Sequence, residues 1–353
     1  MKKLLLDLLV DPVKRRPLKF ENGTDQGDER LAGRLRSESG DLYPVVAGIP
    51  RFVETTDSGQ VQTQDTFSFK WKQRDTFKWM LGKGDEATQS AWLLEKYGFS
   101  SVGDWARAFS SASRVLDLGC GAGMASWPWL TTDAWTGKAM WVGIDISDAV
   151  DVAADLLGHL PNTHFVQADA LHLPFADGAF EVILSEGVLH HTPSTRDAIA
   201  SAARALQDGG RLYFYIYRRK GPVREFTDDY VREAIAGLGD EDAWKAMGSL
   251  TMLAQRLSEL KATVEIDEDI PLLGIKAGKQ DVQRLIYWNF AKLYWNDALS
   301  LDENVHVNFD WYRPRYAHRQ SESEVREWCE TAGLSIQRFH EQLSGFTVVA
   351  VKN

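Results

Sequence analysis

Cysteine is nearly absent: the 353 residues include two, Cys120 and Cys329, far apart in sequence. That excludes a disulfide framework and a cysteine-rich zinc site, and it points to a reducing compartment. Basic residues are not in excess either, since 40 Lys+Arg face 50 Asp+Glu for a net charge of −10. Such a chain lacks the cationic footprint of phosphate-backbone binding, so nucleic acid is a disfavoured partner, although local basic patches stay open. Long apolar runs are missing too. Nothing approaches the ~20 apolar residues that cross a bilayer, so no membrane span is expected. The leader-like opening from Met1 to Val10 is interrupted by Asp7, and no small-residue cleavage site follows it. The expectation is a folded N-terminus and a cytoplasmic protein.

What is present is the mix of an ordinary globular protein, with 44% hydrophobic and 25% charged residues, long enough for about two domains. Thirteen tryptophans are many for this length. They read as core and interdomain packing, with the aromatic walls of a substrate pocket as the alternative.

Residues 1–53 carry short apolar pieces between charged and Gly/Pro punctuation, which predicts a small β-rich unit. A polar linker is expected from Glu54 to Gln64, followed by helices up to residue 110. From Arg114 to Arg219, strand-like runs alternate with helical segments, the signature of a parallel sheet covered by helices. The strand candidates are Val115–Leu118, Met140–Ile146, His164–Ala168, Phe180–Ser185 and Arg211–Tyr217. Residues 222–319 form a mostly helical insertion, with helices expected over Glu225–Leu238, Ala243–Leu260 and Asp281–Ala298. A helix, Glu324–Ala332, and two strands, Ser335–His340 and Gly345–Val351, close the chain; their short connection makes the strands antiparallel. The expected core therefore spans 111–221 and 320–353.

Val115 to Leu118 run straight into Gly119-Cys120-Gly121-Ala122-Gly123. Glycine at 119 and 121 permits positive φ and close approach of a ligand to the main chain, and Gly123 permits close packing of helix on strand. A second strand ends at Asp145, 24 positions after Gly121, and a third leads to Asp169 after 24 more. An acid at the second position suits a ribose diol, and all three strand ends fall at the carboxyl edge where open α/β sheets gather ligands.

With Asp117 two residues before its first glycine, the motif resembles that of the class I S-adenosylmethionine-dependent methyltransferases, in the small-molecule, type 11-like branch. Leu173-Pro174-Phe175, Gly187-Val188-Leu189-His190-His191 and Leu206 to Leu212 extend the resemblance over Arg114–Tyr217. It implies a Rossmann-like α/β fold with seven strands, the last antiparallel, and S-adenosyl-L-methionine as cofactor. Gly119 and Gly121 are then expected along its methionine and ribose part, with Asp117 near its amino group. Asp145 falls on the ribose diol, Ile146 on adenine, Asp169 and Ala170 at the adenine amine, and Ser185, Glu186 and Gly187 on the floor near the methyl group. His190 and His191 are candidates for a general base, with a structural or loop-anchoring role as the alternative. The pair lacks further ligands at a recognisable spacing, so no metal is expected.

Two further segments have a functional and a structural reading. Phe67 and Trp71 lie four apart on one helical face, where they either shield a sulfonium by cation–π contact or pack in the core. The run Asn308 to His318 is rich in aromatic and cationic groups. Tyr312, Arg313, Arg315, Tyr316 and His318 either meet an anionic acceptor or form a surface turn.

Residues 4–53 resemble the small zinc-ribbon family that accompanies methyltransferases, through Leu8-Leu9-Val10-Asp11-Pro12, Tyr43-Pro44-Val45 and Gly48-Ile49-Pro50. The positions of the two Cys-x-x-Cys pairs hold Asp11 and Lys14, then Arg36 and Ser39, which implies a degenerate, metal-free ribbon with an Asp11–Lys14 contact and a docking or substrate-placing role. The resulting expectation is methyl transfer to an oxygen or nitrogen of a small molecule: a glycan, a lipid precursor or a secondary metabolite. An rRNA or tRNA methyltransferase is the alternative, disfavoured by the charge and by Ser185-Glu186-Gly187-Val188 standing in place of an Asn-Pro-Pro-Tyr-like motif. A noncatalytic partner that keeps only the fold is the third reading. A homo-oligomer is left open.

Overall fold

The computed structural model describes residues 1, 3–26, 29–53 and 55–353. The β-rich unit is a four-stranded antiparallel sheet, β1 (Leu18–Gln26), β2 (Glu29–Ser37), β3 (Leu42–Val46) and β4 (Ile49–Pro50), preceded by the short helix Lys3–Leu6. Alternation in β3 buries Tyr43 and Val45 and leaves Leu42, Pro44 and Val46 outward.

The central sheet consists of β5 (Arg114–Leu118), β6 (Met140–Asp145), β7 (Thr163–Gln167), β8 (Phe180–Glu186) and β9 (Leu206–Tyr217), with β10 (Thr263–Ile266) and β11 (Gly278–Asp281) forming a separate hairpin, and β12 (Leu334–Glu341) and β13 (Gly345–Lys352) completing it. Its order is β12-β13-β9-β8-β5-β6-β7, with β13 antiparallel to β9 and the strands from β9 to β7 parallel. The chain fills one side from β5 to β7 and then the other from β8, so the switch point lies between β5 and β8. Side chains buried on both faces explain the unbroken apolar runs of these strands. On one face, helices Thr88–Tyr97, Val102–Ser110 and Ala149–Leu157 enclose a core containing Trp105, Trp129, Trp135 and Trp141. On the other, Thr195–Ala205 and Glu322–Thr331 pack together with Leu5, Leu9, Leu18 and Leu35 of the N-terminal unit.

That unit is joined to the sheet by main chain as well. Val10 N donates to Pro174 O, Phe52 N donates to Gln167 O, and Arg51 forms a parallel bridge to Gln167. The edge of β7 is therefore covered rather than left to pair elsewhere.

Three expected boundaries are corrected. Glu54, where the linker was placed, lies outside the described residues, and the helix after it starts at Ser58 rather than past Gln64 because Asp57 caps it by accepting from Gln60 N. The helix expected over Asp281–Ala298 stops at Asn289, and an irregular stretch follows, tied down by Asn304 and Asn308, whose side chains accept from the amides of Asn296 and Tyr294. The aromatic run starting at Asn308 is not a turn at its outset: it is the end of helix Leu301–Tyr312, which opens with a capping box of Ser300 and Glu303.

Candidate active site

Two adjoining hollows lie at the carboxyl end of the sheet. A cavity of about 720 Å³ is lined by Gly119, Cys120, Gly121, Glu186, Gly187 and Tyr217 from the sheet and the turns at its edge, and also by Trp71, Lys220, Trp288 and Trp311. A narrow cleft of about 50 Å³ is lined by Ile146, Asp169, Ala170, His191 and Thr192. Phe67, Gly119, Asp145 and Val188 line both. The join thus falls at the glycine loop and the acid of β6.

The loop is held from within. Gly119 N and Cys120 N both donate to Ile144 O, at 2.7 and 2.8 Å, and Gly121 N donates to Asp145 Oδ2 at 2.8 Å. Gly119 has φ +78° and a Cβ there would overlap Val188; Gly121 has φ +52° and a Cβ would press on the Trp71 indole. The glycines thus supply a bare wall, and the amides of 119–121 are spent on β6.

Asp145 also accepts from Ser147 N and Ser147 Oγ through Oδ1, so about one of its four lone-pair sites stays open, on Oδ2. Burial raises its pKa against these bonds. Asp169 accepts from Leu171 N and contacts His172 Nδ1. Asp117 lines neither hollow. It is buried at the end of β5, accepts from Ser126 Oγ at 2.6 Å through Oδ2, and leaves Oδ1 without a partner. Burial pushes its carboxyl up to about 7, against the Ser126 bond and with help from Asp145 and Glu186.

Glu186 is in the cavity wall, accepting from Tyr97 Oη and from Lys96 Nζ. Lys96 is fully buried, with its ammonium 3.5 Å from the centre of the Tyr215 ring and 3.7 Å from that of Trp92. Burial lowers its pKa to about 8, opposed by Glu186. Ser185 does not reach the floor where it was expected: its Oγ donates to Leu118 O and staples β8 to β5.

The histidine pair is not in the large cavity. His190 has no exposure and no partner on either ring nitrogen, and its ring lies 3.7 Å from that of Tyr217. His191 lines the cleft, donates from Nδ1 to Tyr316 O, and has its pKa lowered to about 4, chiefly by burial. The acceptor residues expected after Asn308 are also displaced. Tyr312 Oη donates to Asp228, Arg313 pairs with Asp240 and caps the carbonyls of Ile235 and Leu238, and Tyr316 Oη donates to Asp57. His318 stacks on Tyr316 and lines a separate surface hollow. Arg315 pairs with Glu233 on the surface. Helical geometry puts Asp310 and Trp311 of the same run into the cavity instead.

Phe67 and Trp71 both reach the walls, Trp71 against the loop. The sequence reading missed His306, which lines the large cavity. The Thr76 hydroxyl donates to Gln73 O at 2.8 Å, so the 2.7 Å contact between Thr76 Oγ1 and His306 Nδ1 needs the imidazole as donor. Nε2 then carries a lone pair that meets no partner among the described residues, and burial keeps the ring neutral. Only its place four residues before Asp310 on one helix marked it. Among the described residues no cluster of three or more His, Cys, Asp or Glu is placed to hold a metal.

Residues 116–214 match the family described as a methyltransferase domain. That match runs from β5 into β9, across the parallel part of the central sheet. The chain is 29% identical over 132 residues to phthiotriol/phenolphthiotriol dimycocerosates methyltransferase 1 of Mycobacterium ulcerans, covering 37% of this chain and 48% of that protein. It is 27% identical over 162 residues to the ubiquinone/menaquinone biosynthesis C-methyltransferase UbiE of Haemophilus ducreyi, covering 43% and 62%. It is 34% identical over 106 residues to 27-O-demethylrifamycin SV methyltransferase of Amycolatopsis mediterranei, covering 29% and 38%. The chain spans about half the length of the first of these relatives.

Proposed function

We propose that the protein transfers a methyl group from S-adenosyl-L-methionine to an oxygen or nitrogen of a small-molecule acceptor. The observation that carries this is the meeting of cleft and cavity at Gly119 and Asp145, which gives one elongated ligand a path across the switch point. The residues fit the cofactor. Asp145 has an open lone pair for a ribose hydroxyl, and Asp169 and Ala170 border the cleft where adenine belongs; Asp117, which lines neither hollow, would act on a cationic amine only by its charge or through a bridging water. When bound, the cofactor supplies a methyl already activated on a sulfonium.

The protein's own work is then alignment and exclusion of water. Trp71 and Phe67 wall the reaction space, and the Trp71 ring suits a neighbouring cation. His306 Nε2, rather than the His190–His191 pair, is the candidate proton acceptor for a hydroxyl substrate. The cleft is too narrow for a purine as it stands, so helix Ser58–Lys72, which contributes Gln60, Thr63 and Phe67 to it, has to swing outward for entry.

The domain reading supported by these contacts assigns 111–221 with 320–353 to the cofactor, 222–319 to the acceptor, and 54–110 to the helices between. For residues 1–53 the degenerate ribbon reading rests on how the two turns are stapled. Asp11 accepts from Val13 N and Lys14 N and from Tyr43 Oη, while Lys14 Nζ pairs with Asp41, not with Asp11, at 3.0 Å. Ser37 and Ser39 hydroxyls donate to Asp41 as well. These side-chain bonds support a ribbon that closes without an ion, and a docking role suits the unit's position on β7. No helix is long and apolar enough to cross a membrane among the described residues, and a cytoplasmic setting is in keeping with the free thiols.

The test is calorimetry with S-adenosylmethionine. Binding, together with methylation of a small molecule in a labelled-cofactor screen of extracts, is expected; no heat at millimolar cofactor rejects the proposal.

A further inference from the structure

The far end of the large cavity has an unusual charge balance. Four cationic groups lie within 6 Å of the centre of the Trp311 ring: Lys292 at 4.8, Arg224 at 5.3, Arg232 at 5.7 and Lys220 at 5.9 Å. Asp228 is the carboxylate that bonds this ring, accepting from Trp311 Nε1 at 2.8 Å, and it is fully spent. It also accepts from Arg224 Nε and Tyr312 Oη, in a pair with almost no exposure. The next acid, Asp310, is paired with Lys70 at 2.5 Å, and Glu186 with Lys96. Arg232 is turned to the carbonyls of Trp311 and Pro314.

That leaves Lys220 and Lys292. Among the described residues neither has a carboxylate within ion-pair distance. Lys220 Nζ donates to Leu343 O at 2.5 Å and Ser344 O at 2.7 Å, and Lys292 Nζ to Val307 O at 3.0 Å. An ammonium has three donors, so one N–H on Lys220 and two on Lys292 are unspent. Lys292 is only 6% exposed; Asp310 and Asp228 act on its charge from a distance but neither bonds its ammonium, so keeping the charge that deep is costly. Both side chains line the cavity, between the flat rings of Trp288, Tyr287 and Trp311. Cationic donors framed by aromatic planes suit a ligand that is itself flat and carries a negative charge.

We infer that the acceptor is a flat aromatic anion, a carboxylate or an acidic phenol, whose charge is held by Lys220 and Lys292 and whose ring lies against Trp288 and Trp311. This rests on the methyl-transfer reading for the word acceptor but not for the site itself. The lysines are binding residues: they fix the ring so that another of its substituents faces the glycine loop. Burial lowers the pKa of both, and an anion between them would restore the charged form.

The test compares benzoate, 2-naphthoate and anthracene-2-carboxylate with their neutral amides, by tryptophan fluorescence and calorimetry, on the full chain with and without S-adenosylhomocysteine. At least one acid is expected to bind about tenfold more tightly than its amide. Lys220→Gln and Lys292→Gln should each reduce that preference severalfold while leaving S-adenosylhomocysteine affinity within about twofold. Equal binding of acids and amides, no binding of any acid at millimolar concentration, or a preference that survives both variants overturns the inference. The wild-type comparison needs no variant, and Lys220→Gln, at a less buried residue, covers the case in which Lys292→Gln does not fold. Acid preference without S-adenosylhomocysteine binding would reject the methyltransferase proposal and keep this site; the converse would keep the proposal and reject the site.

Discussion

Asp117 ends β5 with one oxygen bonded to Ser126 and the other facing no donor. Because its pKa in the folded chain, about 7, lies above the ordinary 3.8, the folded state holds a proton that the unfolded state has lost. Stability therefore falls as pH rises from about 4 to 7, by an amount on the order of 4 kcal/mol for the free protein. Asp117→Asn keeps the Ser126 bond and removes the charge. It should raise the melting temperature at pH 8, leave it nearly unchanged at pH 4, and weaken cofactor binding; thermal scans at the two pH values check the first two. Asp145→Ala should weaken S-adenosylmethionine by ~1–3 kcal/mol in calorimetry through loss of charged hydrogen bonds. Lys96→Met strands Glu186 in a buried wall and should cost about 3–5 kcal/mol in denaturant unfolding. Adding Glu186→Gln should recover a large part of that loss, and a double variant as unstable as the single would show that the ion pair is not the cause.

At the scale of elements, the helix Ser58–Lys72 belongs to both hollows and must move for a purine to enter. Cofactor should therefore slow hydrogen exchange of its amides, and an exchange pattern indifferent to cofactor would argue against entry at this helix. The same elements show what the sequence could disclose. The seven strands of the sheet and its antiparallel end were legible because each is a short apolar run between turn signals, and the loop because Asp117 and three glycines have fixed spacing. The hairpin of β10 and β11 was not legible, since Thr263–Ile266 and Gly278–Asp281 are half-exposed and too short for a period to register. Nor was the end of the large cavity around Trp311. Which side of helix Leu301–Tyr312 faces the cavity is decided by Asn304 and Asn308 bonding the stretch before it, a tertiary choice that put Trp311 inward and tied Tyr312 to Asp228.

For the whole molecule, the N-terminal unit and the sheet share one core, with Leu5, Leu9, Leu18 and Leu35 packed among Phe175, Phe180 and Leu206. Removal of residues 1–53 should therefore expose this face and the β7 edge and yield aggregated protein, seen by light scattering. Chelators should leave the melting temperature of the full chain unchanged, because Asp11, Tyr43, Lys14 and Asp41 already close the two turns. A fall in melting temperature with chelator would show an ion in the folded unit.

Arg51 bonds Gln167 and Asp151, and Gln167, the residue before Ala168 at the cleft's wall, in turn donates to Ile146 O. Displacing the amino-terminal module would therefore strain, through these side chains, the ends of β6 and β7 where Ile146 and Asp169 line the cleft.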